Sequence, residues 1–509
     1  MNTATIHSTL PRPDICQRAL GARDARFDGV FFVGITTTKV YCRPVCPARV
    51  SYPERRRFFE SAASAERAGF RPCLRCRPEL APGRALIDAV PRLARVAAHR
   101  IAAGALNGRG VGDLARELGV SERHLRRALE REIGVSPVEL AQTHRLLLAK
   151  HLLADTSLPV TRVAFASGFQ SLRRFNSVFR ERYRLSPSDL RRDRRSGNGS
   201  SETTARRTPV APHLPDLVRL TLAYRAPLAW EQLTGWLVRD GLPGVEAVED
   251  GRYGRTVRLN GARGVVFARD AANGGSRRRA SGTHLEIELS TTLLPALMPL
   301  LARLRQLFDL DAEPTAVDEH LRQSGLGPLV ARRPGVRIPG ALDGFEVALR
   351  ALLRASRRSV PASTDLARRV VSALGEPIET GTPALSRLAP SAQRVAEAGV
   401  ASLVSLGVPV VQAEGIAAVA RAIVSGSLRL QPGNDAEATH RSLLEIPGID
   451  DRIATTIVMR ALHWPDAFPL SDRTLRQAAG ATSVRALGAK AEKWRPWRAY
   501  AAIHLQLGG

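Results

Sequence analysis

Four of the five cysteines fall into two tight pairs, Cys42 with Cys46 and Cys73 with Cys76. The pattern is C-x3-C, a gap of 26 residues, then C-x2-C. Such spacing lets two turns each present two thiolates to one tetrahedral Zn2+. Disulfides are the competing use, and they belong to oxidising compartments. The spacing alone does not decide whether the metal is only structural. Cys16 stands apart as a lone, inert thiol. A second candidate is Asp472, in Phe468-Pro469-Leu470-Ser471-Asp472-Arg473. By itself it reads as a helix N-cap beside Ser471.

These groups sit in a cationic chain of 509 residues, with 75 Lys+Arg against 48 Asp+Glu and a net charge of +27. All the cations except Lys39, Lys150, Lys490 and Lys493 are arginines. Arginine's planar fork suits bidentate contacts to phosphate, and a basic surface binds polyanions by releasing their counterions. Residues 1–200 hold 36 Lys+Arg against 18 Asp+Glu, so most of the surplus is at the front. That distribution points to nucleic acid, met first by the N-terminal part. No run approaches the ~18 apolar residues of a membrane span. Met1-Asn2-Thr3-Ala4 lacks a secretory start. The expectation is a cytoplasmic, nucleoid-associated protein of bacterial type, without a membrane partner.

The length predicts roughly three or four domains. From Ala85 to Arg192 apolar residues recur at helical spacing, as at Leu114, Leu118, Leu125 and Leu129. Residues 191–209 are basic and rich in Ser, Gly and Thr, the composition of a linker. Short alternating strands follow, such as Thr256-Val257-Arg258-Leu259 and Leu285-Glu286-Ile287-Glu288-Leu289, and the remainder reads as helix. One device is duplicated fifty positions apart: Gly119-Val120-Ser121 and Gly168-Phe169-Gln170-Ser171, each closed by a turn, Val135-Ser136-Pro137 or Leu185-Ser186-Pro187. Each copy reads as helix, glycine turn, helix, with Ser121 and Ser171 as N-caps. Arg123, His124, Arg126 and Arg127, then Arg173, Arg174 and Asn176, fall where phosphates and base edges are met.

Val40-Tyr41-Cys42-Arg43-Pro44-Val45-Cys46-Pro47-Ala48-Arg49, with Phe70-Arg71-Pro72-Cys73-Leu74-Arg75-Cys76, closely resembles the zinc domain of the Ada family. That resemblance implies repair of methyl phosphotriesters in DNA. Cys42 takes the place of the methyl acceptor, and Cys46, Cys73 and Cys76 those of the other ligands, so the zinc is both structural and catalytic. Thr38, Arg49 and Arg71 match positions that approach the DNA backbone. The stretch 110–192 resembles the AraC-type DNA-binding domain, the usual companion of that zinc domain in a methylation-responsive activator.

Leu444-Glu445-Ile446-Pro447-Gly448-Ile449-Asp450-Asp451 resembles a helix-hairpin-helix, whose turn at Pro447, Gly448 and Ile449 offers N–H groups to a phosphate. With Val336-Arg337-Ile338-Pro339-Gly340, the Asp472 segment and Trp494-Arg495-Pro496-Trp497, it resembles the AlkA-type 3-methyladenine DNA glycosylases. Tyr224-Arg225-Ala226-Pro227 and Gly264-Val265-Val266 fit that family's N-terminal sheet domain. The resemblance makes Asp472 the catalytic aspartate, stabilising a cationic sugar once the base is flipped out. Arg452 stands where strand-cleaving relatives carry lysine, which implies a glycosylase without strand cleavage. Asp450 replaces the hairpin's second glycine, and aspartate is a residue that can adopt the left-handed turn geometry. Arg452, Thr456 and Gln506 replace aromatic residues of the family's pocket.

The expected fold is multidomain and mainly α with α+β parts: a zinc/methyl-acceptor domain (1–82), two helix-turn-helix units (83–192), a basic linker (193–212), a small sheet domain (213–312) and a helix-hairpin-helix glycosylase domain (313–509). The expected function is an alkylation response, combining a self-methylating transcriptional activator with a monofunctional glycosylase for bases such as 3-methyladenine. The alternative is a regulator whose glycosylase-like half binds DNA with little or no catalysis. The implied cofactor is one Zn2+. The implied partners are alkylated and promoter double-stranded DNA, together with RNA polymerase.

Overall fold

A computed structural model of the chain describes residues 10–48, 51–82, 92–197, 216–272, 283–355 and 359–508. Arg49 and most of the expected linker lie outside the described residues. By its contacts the chain divides into two units. The first takes residues 1–209 with 218–225 and 294–302, and the second takes the rest. The boundaries expected at 212 and 312 therefore do not coincide with the contact grouping.

The first unit opens with α1 (Pro13–Ala22) and a small sheet of β1 (Phe32–Ile35), β2 (Val40–Cys42), β3 (Arg56–Phe59) and β4 (Arg71–Pro72), with α2 (Ala62–Arg67) between the last two. The sheet order is β3-β1-β2-β4, with Val33 opposite Cys42 and Tyr41 opposite Pro72. Aromatic rings fill the space behind it: Phe32 meets Tyr41, and Phe59 meets Phe70, both edge to face. Gly34 is required there, because a Cβ would come within 2.9 Å of both the Phe59 and Phe70 rings. Ser61 starts α2 with a reciprocal capping box to Ser64.

Seven helices follow: α3 (Arg92–Ala102), α4 (Val111–Glu117), α5 (Glu122–Ile133), α6 (Pro137–Asp155), α7 (Val160–Ala166), α8 (Leu172–Tyr183) and α9 (Pro187–Gly197). The duplication is physical. Gly119 and Gly168 turn with φ of +70° and +87°, and Ser121 and Ser171 cap α5 and α8 through the His124 and Arg174 N–H groups. Ser136 and Ser186 repeat the device with Glu139 and Asp189. α9 runs to Gly197, so the segment expected as linker from residue 193 begins as helix. Its basic residues favour a helix C-terminus.

Beyond the linker come β5 (Leu217–Ala223), α10 (Trp230–Arg239), and β6 (Glu246–Glu249), β7 (Arg252–Leu259), β8 (Ala262–Asp270) and β9 (His284–Ser290), giving a sheet of order β5-β9-β8-β7-β6. Three helices follow, α11 (Leu297–Leu307), α12 (Pro314–Leu321) and α13 (Gly327–Arg332). The remainder is helical: α14 (Gly344–Ala355), α15 (Val360–Leu374), α16 (Ala392–Ser405), α17 (Val410–Ser425), α18 (Ala436–Leu444), α19 (Asp451–Ala461), α20 (Arg473–Ala478), α21 (Val484–Ala491) and α22 (Arg498–Gly508). One apolar core joins these helices, with Leu349, Leu352, Ile416, Ile457 and Val458 fully buried. Trp494 is buried and donates to Ser324 O, and Trp497 stacks edge-on against His320. Both tryptophans pack the fold. Within the same unit Arg255, Glu246, Glu346 and Arg350 form a buried charge quartet. Burial works against ionising Glu246, yet Arg350 and Arg255 bring its carboxyl down to about 2.

Candidate zinc knot and DNA-binding elements

Cys42 ends β2 and Cys73 follows β4, so two neighbouring strands deliver one thiol from each pair. Tight turns add Cys46, whose N–H donates to Arg43 O, and Cys76. All four Sγ atoms lie within 4.8 Å of one another, and all four residues are buried. A tetrahedral zinc with Zn–S near 2.3 Å needs sulfurs about 3.8 Å apart. The donor set therefore fits Zn2+.

The sulfurs differ in what the backbone gives them. The Arg43 N–H donates to Cys76 Sγ and the Arg75 N–H to Cys73 Sγ, both at 3.4 Å. The Ala48 N–H serves Cys46. Among the described residues no backbone N–H is seen to donate to Cys42 Sγ. Thr38 is exposed in the turn before β2, and half-buried Arg71 is tied to that turn by its N–H to Lys39 O at 2.8 Å. Both flank the strand that carries Cys42. The sequence did not single out Arg43, whose guanidinium binds buried Asp28 and Cys76 O and so fixes the loop between the two thiols. Cys16 is buried, and desolvation raises its thiol to about 11.

On α5, Arg123, His124, Arg126 and Arg127 are all exposed, while Leu125 and Leu129 face the core. On α8, Arg173 and Arg174 are exposed, Asn176 is half-buried, and Phe175 and Phe179 anchor the helix. Each second helix thus presents cations on one face.

In the second unit α18, the hairpin turn and α19 form the expected motif. Gly448 takes φ +75°. Gly415 of α17 lets the turn approach, since a Cβ there would meet Pro447 O at 2.3 Å. Pro447 is exposed, whereas Ile449 is buried and its N–H donates to Ile446 O. Asp450 is not left-handed. It is extended, with φ −88° and ψ 173°, and its carboxylate caps α19 through the Ile453 N–H at 2.8 Å. The positive φ needed by the turn is supplied at Gly448, which frees Asp450 for the cap. Asp472 is half-buried and caps α20, accepting from the Thr474 and Leu475 N–H groups. Arg452, Thr456 and Gln506 are half-buried.

A sulfur knot, paired helix-turn-helix units and a hairpin-bearing helical domain define a multidomain DNA-damage-response architecture. Family models agree region by region: the metal binding domain of Ada matches residues 15–79, a helix-turn-helix domain 114–193, and the AlkA N-terminal domain 219–343. The chain is 38% identical over 499 residues to the probable bifunctional transcriptional activator/DNA repair enzyme AlkA of Mycobacterium tuberculosis, covering 96% of this chain and 95% of that one. It belongs to that family. It is also 32% identical to DNA-3-methyladenine glycosylase 2 of Escherichia coli K12, over 56% of this chain and 95% of the relative. Over its front part it is 32% identical to the bifunctional transcriptional activator/DNA repair enzyme Ada of Escherichia coli K12, covering 28% of this chain and 39% of the relative. No helix among the described residues is long and apolar enough to cross a membrane.

Proposed function

We propose that the protein is an alkylation-damage regulator and repair enzyme, accepting methyl groups from DNA methyl phosphotriesters at Cys42 and excising alkylated bases such as 3-methyladenine with Asp472. The observation that carries the first activity is the cluster of four buried thiols, Cys42 among them, inside the region that the metal binding domain of Ada matches. When bound, zinc keeps the sulfur as thiolate and holds it in place. Thr38 and Arg71 hold the phosphate beside it. The Cys42 S–CH3 bond forms as the O–CH3 bond breaks, and the electron pair leaves with oxygen, so the triester becomes an ordinary phosphodiester. The thioether is stable, and the protein is consumed. One negative charge is lost from the knot, which lowers repulsion against DNA and favours binding by α5 and α8. Promoter-bound protein then recruits RNA polymerase.

In the second unit the hairpin grips the backbone, and Asp472 supports positive charge on the sugar as the base departs. Support comes from the AlkA relationship and from the hairpin turn, where Gly448 takes the positive φ that such a turn needs. Arg452 in place of lysine fits a glycosylase that does not cut the strand. Mass spectrometry after incubation with methyl-phosphotriester DNA tests the acceptor: one added methyl on Cys42 is expected. An unmodified Cys42 in zinc-loaded protein rejects that activity.

A further inference from the structure

Both cysteine pairs of the knot are tied to one helix. From the side of β2, Tyr41, next to Cys42, donates to Glu66 Oε1 at 3.1 Å. Thr143 of α6 donates to Glu66 Oε2 at 2.8 Å, and Arg182 in the last turn of α8 lies 3.8 Å from the same carboxylate. From the other side, Lys150 of α6 donates to the main-chain carbonyl of Cys73 at 3.1 Å and to Glu79 Oε2 at 2.5 Å. Glu79 also accepts from Arg77 at 3.0 Å, and Arg77 grips Asp155, at the end of α6, with both guanidinium arms at 2.7 and 2.8 Å. Thr143 and Lys150 are seven residues apart, hence on one face of α6, and both are buried.

This seam is no incidental surface pairing. Lys150 is 1% exposed, and burying a lone ammonium is costly unless it is fully partnered. Arg77, directly after Cys76, holds a left-handed backbone with φ +51°. A non-glycine residue stays there only where its surroundings over-determine it, and the Arg77 side chain is fixed at both ends. The seam joins the knot to the helix that links the two helix-turn-helix units. Partial opening leaves several charges unpaired in a dry interface, so the arrangement favours either full docking or release.

We propose that Lys150 and Thr143 are positioning residues that clamp the zinc knot to α6, so that the methylation state of Cys42 reaches the recognition helices α5 and α8 through this seam. The inference rests on the reading of Cys42 as methyl acceptor and adds the route by which that event is read. It is tested in full-length, zinc-loaded protein with two variants. Lys150→Met combined with Glu79→Gln removes both charges at similar volume, and Thr143→Val loosens the opposite side. Zinc content is expected to stay at one per chain, and Cys42 methylation to stay within ~3-fold of wild type. The gain in double-stranded DNA affinity on methylation is expected to fall ~10-fold in the charge-free variant, a split that general destabilisation does not give.

A second measurement does not depend on methylation. Amide hydrogen exchange over residues 137–155 is followed before and after zinc is stripped with a chelator. In wild type, chelation should quicken exchange ~10-fold or more; in the charge-free variant the change should largely vanish. If wild-type Cys42 takes no methyl group, the acceptor reading fails and the exchange result alone decides the seam. The seam is overturned if α6 exchange ignores zinc in wild type. It is equally overturned if the variants keep the full affinity gain and the full zinc dependence.

Discussion

Ser471 Oγ donates to Asp451 Oδ2 at 3.2 Å, joining the segment just before Asp472 to the first turn of the hairpin's second helix. The hairpin and the candidate catalytic carboxylate are thereby held on one short piece of structure.

Asp472 caps α20 whether or not it is catalytic, so the substitution must separate the two roles. Asparagine is as good an N-cap as aspartate. Asp472→Asn should therefore leave thermal stability within about 0.5 kcal/mol, while slowing release of 3-methyladenine by ~100-fold or more. Equal release by wild type and variant would reduce Asp472 to a cap and favour the reading of the second unit as a DNA-binding body without base excision.

Burial raises the Glu66 carboxyl from its ordinary 4.5 to about 7, against the pull of Arg182, Thr143 and Tyr41. Between those values the folded protein holds a proton that the unfolded chain releases. Stability of the first unit should thus fall as pH rises from 4.5 to 7, by about 3 kcal/mol in all. Exchange of the α2 and α6 amides measures it, and Glu66→Gln should flatten the profile.

The buried quartet offers a stability test in the other unit. Glu246→Leu leaves Arg255 and Arg350 with only one of the two carboxylates they share, Glu346. Loss of one member of such a cluster costs about 3–5 kcal/mol. All five tryptophans fall at Trp230 or later, so fluorescence during urea unfolding reports on the C-terminal half of the chain. An unchanged midpoint would show that the cluster adds little.

Exposed cations on α5 should act through phosphate. Arg126→Ala and Arg127→Ala are each expected to reduce the slope of log affinity against log salt by ~0.9 on double-stranded DNA. A loss of affinity with an unchanged slope would assign them to base edges.

Much of this was legible in the sequence because it depends on short spacing. Two cysteine pairs, two glycine turns with serine caps, and a Pro-Gly hairpin each announce themselves within a dozen residues, and the fold brings each together. The left-handed geometry open to Asp450 is not used because neighbouring Gly448 already meets the turn's need, a competition that residue preferences do not resolve. The seam was invisible for a different reason. Lys150 meets Glu79 across 71 positions and Thr143 meets Glu66 across 77, and no local pattern encodes such pairings. The one available signal was compositional: a lysine in a chain that writes nearly all its cations as arginine.

That scarcity has an experimental consequence. Lys39, Lys490 and Lys493 are exposed, and Lys150 alone is buried. Amine-specific labelling should therefore modify three side chains quickly and spare the fourth for as long as the knot stays docked. The protein carries its own reporter: the rate at which the last amine reacts tracks how readily the knot and α6 come apart.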